Sequence, residues 1–271
     1  MAHEMRGGGF SMVMTCATNI HEYGKTFPGQ MGIYSDKHLA GLRKVADTIR
    51  KNGALSSVQL HHGGVRVNPE LGGSSVGPSD IPSLGARALS LEEVEALRDD
   101  FVTAALRAQT AGFDGVEVHA AFGWILMQFL SPLFNNRDDR LLFEVIDGIR
   151  SACRPDFQVG LRISMERYGM QLAEVRQVAA RVLKEERIDY LDLAVWDYAK
   201  TSQQATDAIE AGCDFVMIGK AAILQSDFPQ KVEQDAHFRL PQLPVIKEYL
   251  EDQGLSDNFI AYMGTWEGFV E

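Results

Sequence analysis

Gly112-Phe113-Asp114-Gly115-Val116-Glu117-Val118-His119, continued by Ala120-Ala121-Phe122-Gly123-Trp124 and Gln128-Phe129-Leu130-Ser131-Pro132, is the stretch on which the reading of the fold turns. Gly112 closes a helix, because a residue without Cβ takes the left-handed backbone of a helix end at little cost. Val116 and Val118 alternate as a short buried strand, and His119 leaves that strand at its C-terminal end. In a parallel α/β barrel this end is where chemistry is done.

Outward from that stretch, strand and helix signals alternate. Strands are expected at Ser11 to Thr18, Ser56 to His61, Asp114 to His119, Gln158 to Ser164, Asp189 to Val195 and Asp214 to Gly219, each a short β-branched or apolar run. Amphipathic helices are expected between them at Asp36 to Asn52, Ser90 to Ala111, Leu141 to Cys153, Leu172 to Glu186 and Ser202 to Ala211. Ser90 and Glu93 form a capping-box signature ahead of Val94, Leu97, Phe101, Ala104 and Ala105 at helical spacing. A strand-then-helix repeat of roughly 40 residues fits a (β/α)8 TIM-type barrel better than a solenoid. Asn68 to Gly85, rich in Gly, Pro and Ser, reads as one long loop on the side where ligands bind.

The chain has 271 residues, 45% of them hydrophobic, enough for a single barrel domain over 1–271 with a helix at Pro244 to Gln253 and an aromatic C-terminal tail. Lys and Arg number 26 against 37 Asp and Glu, and the formal net charge of -11 argues against nucleic acid and anionic membranes as partners. Cys16, Cys153 and Cys213 are too far apart for a zinc site or a disulfide framework, which points to no metal and to a reducing, cytoplasmic setting. No run of about 20 apolar residues offers a membrane span. The tail Phe259 to Val270 is expected to pack back on its own chain, with exchange across a homo-oligomer interface as the alternative.

Five motifs in order resemble the old yellow enzyme family of NADH:flavin oxidoreductases. They are Arg6-Gly7-Gly8-Gly9-Phe10, Val58-Gln59-Leu60-His61-His62-Gly63-Gly64, the Gly112 to Pro132 stretch, Val159-Gly160-Leu161-Arg162-Ile163-Ser164, and Gly212-Cys213-Asp214-Phe215-Val216-Met217-Ile218-Gly219-Lys220-Ala221. The resemblance covers nearly the whole chain. It implies an FMN-dependent oxidoreductase on a (β/α)8 barrel, with NADH or NADPH as reductant and a small molecule as substrate.

Physical reading and resemblance meet on particular residues. Gln59 is an amide at a strand end, able to donate and accept in one plane as a flavin pyrimidine edge requires, or else a buried amide bonding backbone. Arg162 is a cation in an apolar strand, either salt-bridged to a neighbouring strand or, as the resemblance implies, beside the flavin. Ala17 is ordinary core by itself and a flavin neighbour by resemblance. Gly219 and Lys220 follow an apolar run, where backbone amides and an ammonium suit a phosphate; the family usually has arginine at that position. His119 reads as a core histidine or, by resemblance, as the donor to the substrate carbonyl oxygen. His61 and His62 are adjacent in a strand and must point to opposite faces.

Departures from the family pattern sit beside His119. Phe122 stands where the family has a second donor, and Trp124 where it commonly has a proton-donating tyrosine. Phenylalanine donates nothing, and an indole N–H is a donor but no useful acid. The motif Asn135-Asn136-Arg137-Asp138-Asp139 runs directly through Arg140 into a helix. About six βα units are visible where a closed barrel has eight. The barrel therefore reads as incomplete, lacking strands one and seven, with segments expected ahead of Met1, near Asp139 to Arg140 and near Lys200 to Thr201. Two other functions stay open: a barrel isomerase or lyase using Lys220 and His119 on a phosphorylated metabolite, and a cofactor-poor remnant serving as a binding module.

Overall fold

Two aspartates tie the strands of the sheet together at their N-terminal ends. Asp114 Oδ2 accepts from the Ser56 backbone N–H and hydroxyl, both at 2.8 Å, and Asp189 Oδ2 accepts from the Val159 N–H at 2.7 Å. Each aspartate immediately precedes its own strand and grips the start of the strand beside it, adding a polar tie to the register that the apolar pattern sets. The protein is seen in a computed structural model that describes residues 8–136, 139–165, 167–194, 207–235 and 238–271.

The strands are β1 (Met12–Met14), β2 (Thr18–Asn19), β3 (Leu55–His61), β4 (Val76–Gly77), β5 (Arg87–Ala88), β6 (Gly115–Ala120), β7 (Gln158–Ser164) and β8 (Tyr190–Ala194). Six of them form one sheet in the order β1-β3-β6-β7-β8, with β2 also on β3, while β4 and β5 pair separately. The pairings β3 to β6, β6 to β7 and β7 to β8 are all parallel. The helices are α1 (Leu39–Lys51), α2 (Leu91–Ala111), α3 (Ile125–Leu130), α4 (Arg140–Ala152), α5 (Leu172–Lys184), α6 (Lys220–Leu224), α7 (Phe228–Gln234), α8 (Lys247–Asp252) and α9 (Asp257–Met263).

The chain divides into two compact units, one of 14–47 and 56–195, the other of 1–13, 48–55 and 196–271. In the first, Val58, Leu60, Val116, Val118, Val159, Leu161 and Ile163 share a core with Leu97, Phe101, Ala104 and Ala108 of α2, Leu142, Ile146 and Ile149 of α4 and Val175, Val178 and Val182 of α5. Alternation then puts Gln59, His61, Glu117, His119, Arg162 and Asp192 on the opposite face of the same strands. Ser90 caps α2 as its sequence implies, accepting from Glu93 N–H at 3.2 Å while its own N–H donates to Glu93 Oε2 at 2.8 Å. Gly112 ends that helix at φ 91°. In the second unit, Ile223, Leu224, Val245, Leu250, Ile260, Met263 and Phe269 form a separate core, so the aromatic tail folds onto α6, α8 and α9 of that unit.

Three sequence expectations need correction. The strand expected from Ser11 to Thr18 is interrupted after Met14, because the Thr15 and Thr18 hydroxyls both donate to the Cys16 carbonyl, at 3.0 and 2.8 Å, and turn the chain out of the ladder. The strand expected at Asp214 to Gly219 is irregular, with Phe215 46% exposed. Strand propensity measures fit to a half-buried pleated surface, and no residue of this segment is buried. The loop expected from Asn68 to Gly85 contains 3₁₀ turns at Pro69–Leu71 and Pro82–Leu84, each begun by a proline, and strand β4. The helix expected from Ser202 is described only from residue 207. Val195, Arg6 to Gly7, Arg137 to Asp138 and Lys200 to Thr201 lie outside the described residues.

Candidate active site

Register places the polar residues of the sheet in rows. Gln59 lies opposite Glu117, Glu117 opposite Gly160, and Gly160 opposite Tyr190. One step toward the C-terminal ends, His119 lies opposite Arg162 and Arg162 opposite Asp192. Gln59, His119 and Arg162, singled out separately in the sequence, thus stand on one face of three adjacent strands.

Burial governs the protonation of this face. His119 is 3% exposed and held well below the ordinary imidazole value, first by desolvation and then by His61 and Arg162. His61 is fully buried and pushed down to about 3 for the same leading reason, so both imidazoles are neutral at pH 7. Their ring centroids are 6.0 Å apart. Neither ring nitrogen of His61, nor His119 Nδ1, has a hydrogen-bond partner among the described residues. His62 turns the other way, its Nδ1 accepting from the Gly64 N–H at 3.0 Å.

Aromatic residues enclose the two histidines. Trp124 meets His61 edge-on at 4.7 Å between centroids, and Phe122 meets His119 edge-on at 5.8 Å. Phe122 sits at φ 56°, a region that bulky residues seldom occupy. Its N–H donates to Ser164 Oγ at 2.9 Å and its carbonyl accepts from the Arg66 guanidinium, so both backbone groups are held. That guanidinium stacks 4.3 Å from the Trp124 ring centroid, and Arg162 lies 5.3 Å from that of Phe122. Gln128 pins the loops beneath, accepting from Val65 N–H at 3.1 Å and donating to the Gly123 carbonyl at 2.8 Å.

The other sequence-predicted residues are placed as follows. Ala17 lies between β1 and β2, and its carbonyl accepts from Gln30 Nε2 at 3.0 Å. Arg162, half-buried, forms an ion pair with Asp192 on the next strand at 3.2 Å, the salt-bridged alternative of the sequence reading. Gly219 and Lys220 belong to the second unit, where Lys220 Nζ lies 5.2 Å from the Trp266 ring centroid.

Sequence reasoning passed over Glu117, Tyr190 and Asp192. Glu117 is fully buried, accepts from Gln59 Nε2 at 2.7 Å, and is pushed up to about 8, chiefly by desolvation and then by Asp192. Its signal was available: an acidic residue between two valines that face the core must itself face the other side with the residues at 59 and 119. Among the described residues no cluster of three or more His, Cys, Asp or Glu is placed to hold a metal ion, and no helix is long and apolar enough to cross a membrane.

A parallel sheet with helices on one face and neutral histidines, an amide and a guanidinium on the other is the architecture of the β/α barrel class. The chain belongs to the NADH:flavin oxidoreductase / NADH oxidase family, whose family model matches residues 3–207. It is 36% identical over 227 residues to the probable NADH-dependent flavin oxidoreductase YqiG of Bacillus subtilis, covering 76% of this chain and 61% of that protein. An NADPH dehydrogenase of Geobacillus sp. is 31% identical over 203 residues, covering 69% of this chain and 58% of that one. The old yellow enzyme homologue from Zymomonas mobilis superposes with a TM-score of 0.78 at 25% identity, over 92% of this chain and 85% of that structure. The chain therefore spans about six-tenths of the length of these two sequence relatives. FMN and NADH or NADPH are the cofactors of the class to which it belongs.

Proposed function

We propose that the protein binds FMN and passes hydride from NADH or NADPH to an electron-poor alkene or related acceptor. Gln59, Arg162, Ala17, Gly219 and Lys220 hold the cofactor, and His119 and Trp124 meet the substrate. The observation that carries this reading is the face shared by Gln59, His119 and Arg162, in a chain of this family. The residues present fit a flavin. Gln59 donates one N–H to Glu117 at 2.7 Å and the other to Met14 Sδ at 3.9 Å, leaving its carbonyl for a planar ligand edge. The unpartnered ring nitrogens of His61 and His119 are the kind of buried polar atoms that a structure retains for a ligand or a reaction.

When bound, the flavin supplies a two-electron relay between nicotinamide and acceptor. His119, being neutral, donates an N–H to the acceptor oxygen and draws electron density from the alkene without giving up its proton. Trp124 excludes water beside His61 and orients the Arg66 guanidinium. The Arg162 guanidinium, paired with Asp192, favours negative charge near it.

The test begins with a visible spectrum and intact mass of the purified protein, followed by flavin fluorescence titration. Lys220→Ala is expected to weaken FMN binding by about tenfold, the size of one charge-assisted hydrogen bond, whereas Lys220→Arg preserves or improves it through bidentate contact. Equal affinity in all three forms would remove Lys220 from the phosphate site. A protein that takes up no flavin would refute the proposal.

A further inference from the structure

We propose that Glu117 is a positioning residue, whose carboxyl holds the Gln59 amide in one orientation so that its carbonyl faces the cofactor. The inference rests on the flavin-binding reading above and assigns a role to the deepest polar group of the site.

The geometry comes from one row of the sheet. Gln59 and Glu117 are register partners on adjacent parallel strands, and Gln59 Nε2 donates to Glu117 Oε1 at 2.7 Å. An amide has two ends of nearly equal shape, and a flavin edge is matched only if the correct end faces it. Oε1 of Glu117 accepts this bond, so it selects the N–H end of Gln59 and sends the carbonyl the other way. Glu117 is fully buried and Gln59 is 6% exposed, which leaves no water to compete for that choice.

The rest of the row explains why an acid can sit there. Gly160, the next register partner, has no side chain, and the Tyr190 ring occupies the space above it. The groups facing Glu117 are Gln59 from β3, Arg162 from β7, and Asp192 and Tyr190 from β8. Desolvation and Asp192 outweigh Arg162 and Gln59, so the carboxyl keeps its proton at neutral pH. Oε2 has no hydrogen-bond partner among the described residues. A proton on Oε2 leaves Oε1 free as the acceptor that Gln59 uses.

The experiment compares the parent chain with Glu117→Gln, which keeps an acceptor without a charge, and Glu117→Leu, which keeps bulk without an acceptor. FMN titration is expected to show binding weakened at least tenfold in Glu117→Leu, with an altered fine structure of the flavin absorption band, and both features restored in Glu117→Gln. A second readout needs no flavin. The folded state holds a proton on Glu117 that the unfolded chain releases near the ordinary value of 4.5, so stability is fullest below that value and is lost as pH rises through about 8. His61, His62 and His119, all shifted down, act oppositely and cost stability below pH 6.5. The melting temperature of the parent should therefore fall relative to Glu117→Gln between about pH 5 and 8.

If Glu117→Leu does not fold, the pH-dependent difference between the parent and Glu117→Gln still decides whether the carboxyl is held protonated; parallel curves overturn the proposal. Equal flavin affinity and spectra in all folded forms overturn the role of Glu117 while leaving the flavin reading standing. Absence of flavin binding by the parent overturns that reading and the cofactor part of this one together.

Discussion

Phe122→His combined with Trp124→Tyr is expected to raise the rate at which an enone oxidises the reduced protein by roughly 10²-fold, the usual worth of one well-placed donor to a developing oxyanion. In the parent, His119 is the only histidine of the stretch Gly112 to Pro132, and it is neutral and buried. The ring beside it, 5.8 Å away, belongs to Phe122 and donates nothing. Reduction by a nicotinamide asks only for an intact flavin environment and should be similar in both forms. Backbone geometry favours the exchange: position 122 sits at φ 56°, which histidine tolerates better than phenylalanine, and its N–H and carbonyl are already held by Ser164 and Arg66. Tyrosine at 124 retains a ring for the Arg66 guanidinium to stack upon and adds an acidic hydroxyl. Stopped-flow measurement of both half-reactions decides the matter. A fast enone step in the parent, or an unchanged one in a fully flavin-loaded variant, would show that Phe122 and Trp124 do not limit proton and hydrogen-bond supply.

The sheet was legible because its signals are local and redundant. Val116 and Val118 alternate with Glu117 and His119, Ser90 and Glu93 announce a helix start, and Gly112 announces its end; the structure realises each of these. The pairs Phe113-Asp114 and Ile188-Asp189 also mark strand starts, since each aspartate ties down its neighbour strand. Cys213-Asp214 has the same form but opens an irregular segment. An aspartate before an apolar run thus predicts a strand only when the tertiary setting buries that run, and no local pattern carries this information. Likewise the threonines at 15 and 18 suit a strand by propensity, yet their hydroxyls take the Cys16 carbonyl and break it.

The site was legible by residue type but not by partnership. Gln59, His119 and Arg162 could be named from strand ends and chemistry, whereas their ties to Glu117, His61 and Asp192 depend on strand order and register. Once β3, β6, β7 and β8 are known to be parallel neighbours, Glu117 becomes the obvious partner of Gln59. Before that, it is one charged residue in an apolar stretch.

Register also makes Gly160 the position where the smallest change should have a large structural effect. Gly160→Ala is expected to destabilise the protein by about 3 kcal/mol, at the upper end for forced overpacking. A Cβ built at Gly160 falls within the Tyr190 ring, overlapping its Cζ and Cε2 atoms. The backbone has little room to yield, so the Tyr190 ring must move. Tyr190 is anchored on β8 by its pairing with Gly160, and β7 is held between β6 and β8 along its length. Tyr190→Val, which removes the partly buried ring, costs stability of its own by unfilling that space, about 2 kcal/mol, less than for a fully buried aromatic. The two changes should not add: in the Tyr190→Val background the extra methyl at 160 meets no ring, and a double-mutant cycle by urea denaturation should return a coupling of about 2 kcal/mol. Additive losses would mean that the ring does not rest on Gly160. Coupling of the expected size would establish that β7 forgoes a side chain at 160 because the Tyr190 ring rests there, in the row that also holds Glu117.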